Sequence, residues 1–538
     1  MNDTETGPFP LPAVPPKNQS GSWYPATSSL SQLLYKEFFS FNGQEEAAKI
    51  AKVPATEWEE RGQRQAVRVF HEAAERVPAY KNFLKEHKVD HIKIKNFLDF
   101  TKLPSINKEN YLKKYPLQEL SWDGNLHAAQ MIAVSSGSSG KPFFWPRGPI
   151  TELETTYLFE QILCNFFGAS SKSTLFVNAF AMGMYVGGPL TLNAVLRIAQ
   201  KGYPITIVTP GYALEEILRV VAELGPQHEQ VIMASYPPFA KDIIDEGIER
   251  GINWGKLNMK FLLAGEGYNE SWRDHIAELS NSNPVRDFVN IYGTADAAVL
   301  GHETPASIVI RRIIDTEDQR KNMFGEERLP SVLQYFPTFR YFEIAGKNEL
   351  LFTASVGIPL VRYDIGDQGG VIPYSHAREL ASEYGNGSLE KLVQDHSDSG
   401  ALWQLPFVYV FGRRDFTSVF YGANIYPENI KAALEDRDVR DKVTGKFTMF
   451  TDSDSEHNQR LTINVECTHE VKPSLRLKKI LQAVIIDKLQ ELNTEYKVVF
   501  SSRGRKAKPT VRLFPKGDEL FFKRGAGVKH KWTVKPDK

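Results

Sequence analysis

The segment Ser135-Ser136-Gly137-Ser138-Ser139-Gly140-Lys141-Pro142 runs six small or hydroxylated residues into a lysine, directly after the apolar Met131-Ile132-Ala133-Val134. With so little side-chain bulk, its backbone N–H groups and hydroxyls can close around a polyphosphate, and Lys141 adds a point charge. It is not the P-loop pattern, because Pro142 stands where that motif needs a hydroxyl on a helix. Taken alone it reads equally well as a flexible Ser/Gly linker. Four further segments follow in order. Ala264-Gly265-Glu266-Gly267 sets two glycines around a carboxylate, which is either a flat shelf for a base or a plain turn. Tyr292-Gly293-Thr294-Ala295-Asp296 offers an aromatic face, a hydroxyl for a phosphate and a hard oxygen ligand suited to Mg²⁺. Its alternative is a strand running into a capped helix. In Arg362-Tyr363-Asp364-Ile365-Gly366-Asp367, Asp367 can hold a ribose diol, while Arg362 and Asp364 can simply pair with each other. Gly412-Arg413-Arg414-Asp415 is a hinge that reaches a nucleotide, or an ordinary interdomain turn.

The elements that must carry these segments follow from periodicity. Helical spacing dominates to about residue 120, as in Ala66, Val67, Phe70, Ala73, Ala74 and Val77, and Pro78 is expected to end that helix. After the Ser/Gly loop, strands are expected at 175–179, 205–209, 231–234, 261–264 and 288–292, with a helix from Leu214 to Leu224 closed by Gly225. Strands alternating with helices imply an α/β fold with a parallel sheet, in which ligands gather beyond the carboxyl ends of the strands. The Gly-rich segments sit there. Residues 373–402, rich in Ser, Gly, His and charge, read as a surface insertion. Beyond Phe411 a small α+β unit is expected, with strands near 446–451, 461–466 and 497–500 and an amphipathic helix at Leu475–Leu492.

The chain has 538 residues, too many for one core, and balances 65 basic against 65 acidic residues. No global field therefore recruits nucleic acid or an anionic membrane. Residues 497–538 are locally basic, with thirteen Lys/Arg against three Asp/Glu, but lack the interleaved aromatics of a nucleic-acid stacking platform. Only Cys164 and Cys467 are present, which disfavours a zinc or disulfide framework and fits a reducing, cytoplasmic compartment. Residues 1–28 are expected to be disordered and do not read as a signal peptide. No apolar run approaches a membrane span.

In this order the segments resemble the adenylate-forming superfamily, specifically the branch of phenylacetate–coenzyme A ligases. The resemblance extends to Val77-Pro78-Ala79-Tyr80-Lys81, Leu103-Pro104-Ser105-Ile106-Asn107-Lys108, the stretch from Asn178 to Gly188, and Asn348-Glu349-Leu350-Leu351-Phe352-Thr353, and so runs from about residue 60 to the end. It implies a large α/β domain at 29–411 and a small mobile domain at 412–538. It also implies two half-reactions: ATP and a carboxylic acid give an acyl-adenylate and pyrophosphate, then a thiol, usually coenzyme A, displaces AMP. Carried over by position, Ser135, Ser136, Gly137, Ser138, Ser139, Gly140 and Lys141 would meet the β/γ-phosphates. Glu266 and Gly267 would border the adenine, with Tyr292 and Gly293 beside it. Thr294 would lie near the α-phosphate, Asp296 near Mg²⁺ and Asp367 on the ribose. Arg413 would fix the nucleotide, and Asp415 would be the hinge. The acid would lie among Met182, Met184, Tyr185, Tyr236, Ala264 and Gly265, an apolar wall suiting an aryl or medium aliphatic acid, although such residues are also ordinary core.

Two positions depart from the family pattern. Asp296 stands where a glutamate is usual. The lysine that bridges carboxylate and phosphate follows a proline-glycine turn in the family. Here Pro515-Lys516-Gly517 supplies the turn, and Lys529 is the choice for that role with Lys531 as the fallback. The expected ligands are therefore ATP, Mg²⁺, coenzyme A and a small carboxylic acid, with homodimerisation left open. Transfer to a carrier protein, an amine or a protein side chain is an alternative. So is a non-catalytic nucleotide-binding regulator, should neither lysine serve.

Overall fold

The structure, a computed structural model, describes residues 38–135, 143–183, 186–324, 329–346, 348–396, 402–413, 418–434 and 436–517. The expected N-terminal disorder therefore lies outside the described residues. The first long helix, Ala55–Arg76, buries Trp58, Ala66, Val69, Phe70 and Ala73 along one stripe. It stops at Val77, whose extended backbone (φ −101°, ψ 111°) is what a following proline favours. Pro78 is also the first residue of the next helix, Pro78–Glu86, because a missing N–H costs nothing there. The proline expected to end one helix thus also starts another.

Strands β1 (Met131–Ser135) and β2 (Phe143–Arg147) form an antiparallel hairpin that sets the two ends of the Ser/Gly segment side by side, Ser135 opposite Phe143. The main sheet then takes β3 (Thr174–Asn178), β4 (Ile205–Val208), β5 (Gln230–Ser235), β6 (Met259–Ala264), β7 (Phe288–Thr294) and β8 (Ala298–His302). It continues through β9 (Ser331–Gln334), β10 (Arg340–Ala345), β11 (Glu349–Ala354), β12 (Leu360–Ile372) and β13 (Phe407–Arg413). Among the described residues these make one eleven-stranded sheet, ordered β10-β11-β12-β13-β9-β8-β7-β6-β5-β3-β4. From β3 to β7 the pairing is parallel, as the strand–helix alternation predicts, with crossover helices such as Leu214–Leu224 and Pro237–Glu249. Beyond β7 it is antiparallel. The five strands expected from apolar runs fall on β3 to β7.

Two expectations need correcting. Residues 373–402 are not a plain surface excursion: they hold helices Tyr374–Tyr384 and Leu389–His396. Tyr374, Ala377, Leu380 and Ala381 have helical spacing and pack with Leu389 and with Ile310 into a core of their own, a periodicity hidden by the polar composition. Residues 497–500 are helix, not strand, within Thr494–Arg503. The Asn493 side chain caps that helix on the Tyr496 N–H, and Tyr496 and Val499 face the core three residues apart.

The small unit opens with the short pair β14 (Ser418–Phe420) and β15 (Ala423–Ile425). Its sheet joins β16 (Val443–Ser453), β17 (Gln459–Cys467) and β18 (Thr510–Phe514). β17 and β18 are parallel, so the chain must cross over between them, and Leu475–Leu492 and Thr494–Arg503 are that crossover.

Candidate active site

Two strand ends and one long strand build a polar corner. Along β12, residues alternate between buried and half-buried, so Val361, Tyr363, Ile365 and Asp367 share one face. That face meets the β7–β8 turn. The Tyr363 hydroxyl donates to Asp296 Oδ2 at 2.8 Å, and the Tyr292 hydroxyl donates to Asp367 Oδ2. Both carboxylates are buried, and each accepts a phenol's hydrogen bond. A carboxylate has about four lone-pair sites, so one such bond orients it without exhausting it. The alternative pairing of Arg362 with Asp364 does not occur. Arg362 instead pairs with Glu343 at 3.2 Å, while Asp364 accepts from the Gly366 N–H.

The turn itself is fixed from beneath. Arg340, buried at the start of β10, donates Nη2 to the Ala297 carbonyl at 2.7 Å and Nη1 to Glu154 at 2.9 Å. Burial raises the Glu154 pKa and the Arg340 charge opposes that rise. Thr294 Oγ1 accepts the Ala297 N–H, so the hydroxyl and the carboxylate of this motif sit on one pinned turn. Asp367 also stands opposite Arg413 across the β12–β13 ladder, which brings the Gly-Arg segment to the same corner.

The shelf after β6 depends on its first glycine. Gly265 has φ +93°, and an added Cβ would lie 2.4 Å from the Tyr236 ring. Behind the shelf, Arg311 donates to the Tyr268 carbonyl at 2.5 Å, within a buried network in which Arg273 bridges Glu270 and Glu303. The Glu266 side chain is turned toward the small unit, where Gln459 Nε2 donates to its Oε2 at 2.7 Å. Burial pushes the Glu266 carboxyl up to about 7, against the hydrogen bonds from Gln459 and the Gly422 amide.

The apolar side centres on Tyr236. Phe180 meets it edge-on at 5.2 Å and Tyr212 at 5.8 Å. Met182 is anchored nearby, its sulfur 3.8 Å from Asn178 Nδ2, and Asn178 also reaches the Gly188 carbonyl at the start of the helix Gly187–Gln200. Burial and the neighbouring Tyr236 raise the Tyr212 hydroxyl well above the usual phenol range.

The structure thus brings Met182, Tyr236, Ala264, Gly265, Glu266, Gly267, Tyr292, Gly293, Thr294, Asp296 and Asp367 to the ends of β3, β5, β6, β7 and along β12. Ser135 ends β1. Ser136, Gly137, Ser138, Ser139, Gly140, Lys141, Met184, Tyr185, Asp415, Lys529, Lys531 and the Arg413 side chain lie outside the described residues. Among the described residues no group of three or more His, Cys, Asp or Glu could cage a metal, and no helix is long and apolar enough to cross a membrane. Sequence reasoning missed Arg340, Tyr363 as the partner of Asp296, and Gln459. Tyr363 lies inside a motif already singled out; the other two stand in stretches without any local signal.

No family model matches the chain. It is 22% identical over 364 residues, 67% of this chain and 71% of the relative, to the phenylacetate–coenzyme A ligase of Thermus thermophilus. Among solved structures it is similar to 2-hydroxyisobutyryl-CoA ligase in complex with 2-HIB-AMP and CoA in the thioesterification state. That similarity has a TM-score of 0.63 at 14% identity, covering 90% of this chain and 91% of the other. The chain has the fold of the adenylate-forming superfamily. The same ligase in the postadenylation state, in complex with R3-HIB-AMP, gives a TM-score of 0.52 at 14% identity over 90% of this chain and 91% of that one. The adenylate-forming fold accounts for a large mixed sheet followed by a small α+β unit.

Proposed function

We propose that the chain is an ATP-dependent carboxylic acid–coenzyme A ligase acting through an acyl-adenylate, with release of AMP and pyrophosphate. The observation that carries this reading is the pair of phenol-held carboxylates, Tyr292–Asp367 and Tyr363–Asp296, set along one strand face beside a pinned turn. Asp367 is the acceptor for the hydroxyls of a ribose, and Tyr292 flanks the adenine. Thr294 is at hand for the α-phosphate, and Ser135 to Lys141 take the phosphates beyond it. Asp296 fits Mg²⁺: it is a hard carboxylate on the same pinned turn as Thr294, and Mg²⁺ keeps most of its waters and takes the remainder from one or two carboxylates and from phosphates. When bound, the ion offsets negative charge that develops on the phosphates. Lys529, or failing it Lys531, bridges the acid and the α-phosphate. Arg413 holds the nucleotide and Asp415 is the hinge.

Phe180, Met182 and Tyr236 give the acid an apolar wall, which favours an aryl or medium aliphatic acid. The phenylacetate–coenzyme A ligase and 2-hydroxyisobutyryl-CoA ligase similarities support coenzyme A as the acceptor. Exchange of labelled pyrophosphate into ATP, screened across a panel of acids, tests the first half-reaction. AMP release on adding coenzyme A tests the second. Exchange without any coenzyme A dependence would transfer the reading to an amine or carrier acceptor. Nucleotide binding without exchange for any acid would leave a regulator.

A further inference from the structure

Resting on the ligase reading, we propose that Asp242 is a positioning residue that seats the small unit on the large one for one of the two half-reactions. Asp242 lies on Pro237–Glu249, the helix that begins beside Tyr236, and its side chain is only 3% exposed. Both its oxygens are taken by cations from the small unit. Arg503 Nη1 stands 2.5 Å from Oδ2, and Lys506 Nζ lies 3.1 Å from Oδ1. Arg503 ends the crossover helix Thr494–Arg503 and is itself 5% exposed. Its guanidinium lies 3.8 Å from the Phe239 ring centroid on the large side and 5.5 Å from that of Tyr421 on the small side. One cation is thus held between aromatic rings from both units as well as by the carboxylate.

The contact is coupled to the aromatic cluster around Tyr236. Tyr421 precedes Gly422, where an added Cβ would fall 2.6 Å from the Tyr236 ring. Gln459 ties the same turn down, accepting the Tyr421 N–H while it donates to Glu266. A buried ion pair contributes little net stability, but removing one partner strands the other charge away from water. Separation of the small unit from the large one would rehydrate Asp242 and Arg503 together, which makes this a contact that forms in one arrangement and dissolves in another. Asp242 touches neither Asp296 nor Asp367, so its loss affects a step through domain placement rather than through the nucleotide corner.

The experiment pairs a distance measurement with the two half-reactions. Spin labels at Glu278→Cys and Asp441→Cys, both exposed, report the separation of the units by pulsed electron resonance, while Cys164 and Cys467 are buried. The unsubstituted interface and Asp242→Glu are expected to give one narrow distance, and Asp242→Asn and Arg503→Gln a broadened or second one. In parallel, Asp242→Asn should slow one half-reaction at least tenfold while the other moves less than twofold, with Asp242→Glu restoring the slowed step. An unchanged distance distribution in both variants would overturn the proposal. So would an equal fall in both half-reactions accompanied by a lower melting temperature. Absence of either half-reaction in the unsubstituted protein would sink the ligase reading, and the distance measurement would still decide the closure.

Discussion

The proposed nucleotide corner and the seam between the two units are built by opposite means. At the corner, Asp296 and Asp367 belong to the main sheet's own strands and turn, and Tyr292, Tyr363 and Arg340 hold that geometry through residues of the same cooperative sheet. At the seam the contacts join two separately cored units: Asp242 with Arg503, Glu266 with Gln459 and the Gly422 amide, and the His275 and His457 rings 5.2 Å apart. Loss of a corner residue should therefore change affinity and chemistry without moving domains. Loss of Asp242 should move domains while leaving nucleotide affinity in place.

The contrast can be broken by substitutions, taken from the largest expected effect to the smallest. Lys529→Ala should slow adenylation by about 100-fold or more, as removal of a charge-stabilising group does. Thioester formation from supplied acyl-adenylate should change far less. If Lys531→Ala alone has that effect, the fallback assignment is correct. Asp367→Ala should raise the KM for ATP by about 10- to 100-fold, since hydrogen bonds to a charged acceptor contribute roughly 1.5–3 kcal/mol each. An unaltered ATP dependence would remove Asp367 from the site. Tyr363→Phe leaves the ring buried but takes the phenol's hydrogen bond from Asp296. The Mg²⁺ concentration for half-maximal pyrophosphate exchange should rise by about five- to tenfold, while the KM for the acid stays constant.

The smallest effect is a pH dependence at the seam. Because the Glu266 carboxyl titrates near 7 in the folded chain, above its ordinary value of 4.5, folding favours its protonated form. That contribution is fully present below about pH 4.5, declines as pH rises and is gone above about 7. The melting temperature of the unsubstituted protein, measured against Glu266→Gln, should therefore fall between pH 5 and 7 and stay level above pH 8. A constant difference across that range would place Glu266 in water rather than in the seam.

Much of the large sheet was legible because apolar runs such as Phe261-Leu262-Leu263 and glycines at strand ends leave local marks. The candidate site segments carry local marks of the same kind: Gly265 must adopt a positive φ, and Tyr292 and Asp367 stand beside glycines. What was not legible depends on distant partners. Nothing near Arg340 announces that it will hold Ala297, forty-three residues away. Asp242 and Arg503 sit on separate helices whose local patterns explain only their own faces. The strand misread at residues 497–500 shows the limit from the other side. Val498-Val499-Phe500 suits a strand by composition, but the Asn493 cap and the crossover demanded by parallel β17 and β18 make it helix.

Titration calorimetry of ATP with Mg²⁺ into the unsubstituted chain and into Asp367→Ala tests the convergence of the strand-end segments most directly. The account predicts one nucleotide bound per chain, with affinity at least tenfold weaker in the variant and unchanged in Asp242→Asn. No binding heat in the unsubstituted chain, or equal affinity in Asp367→Ala, would contradict it.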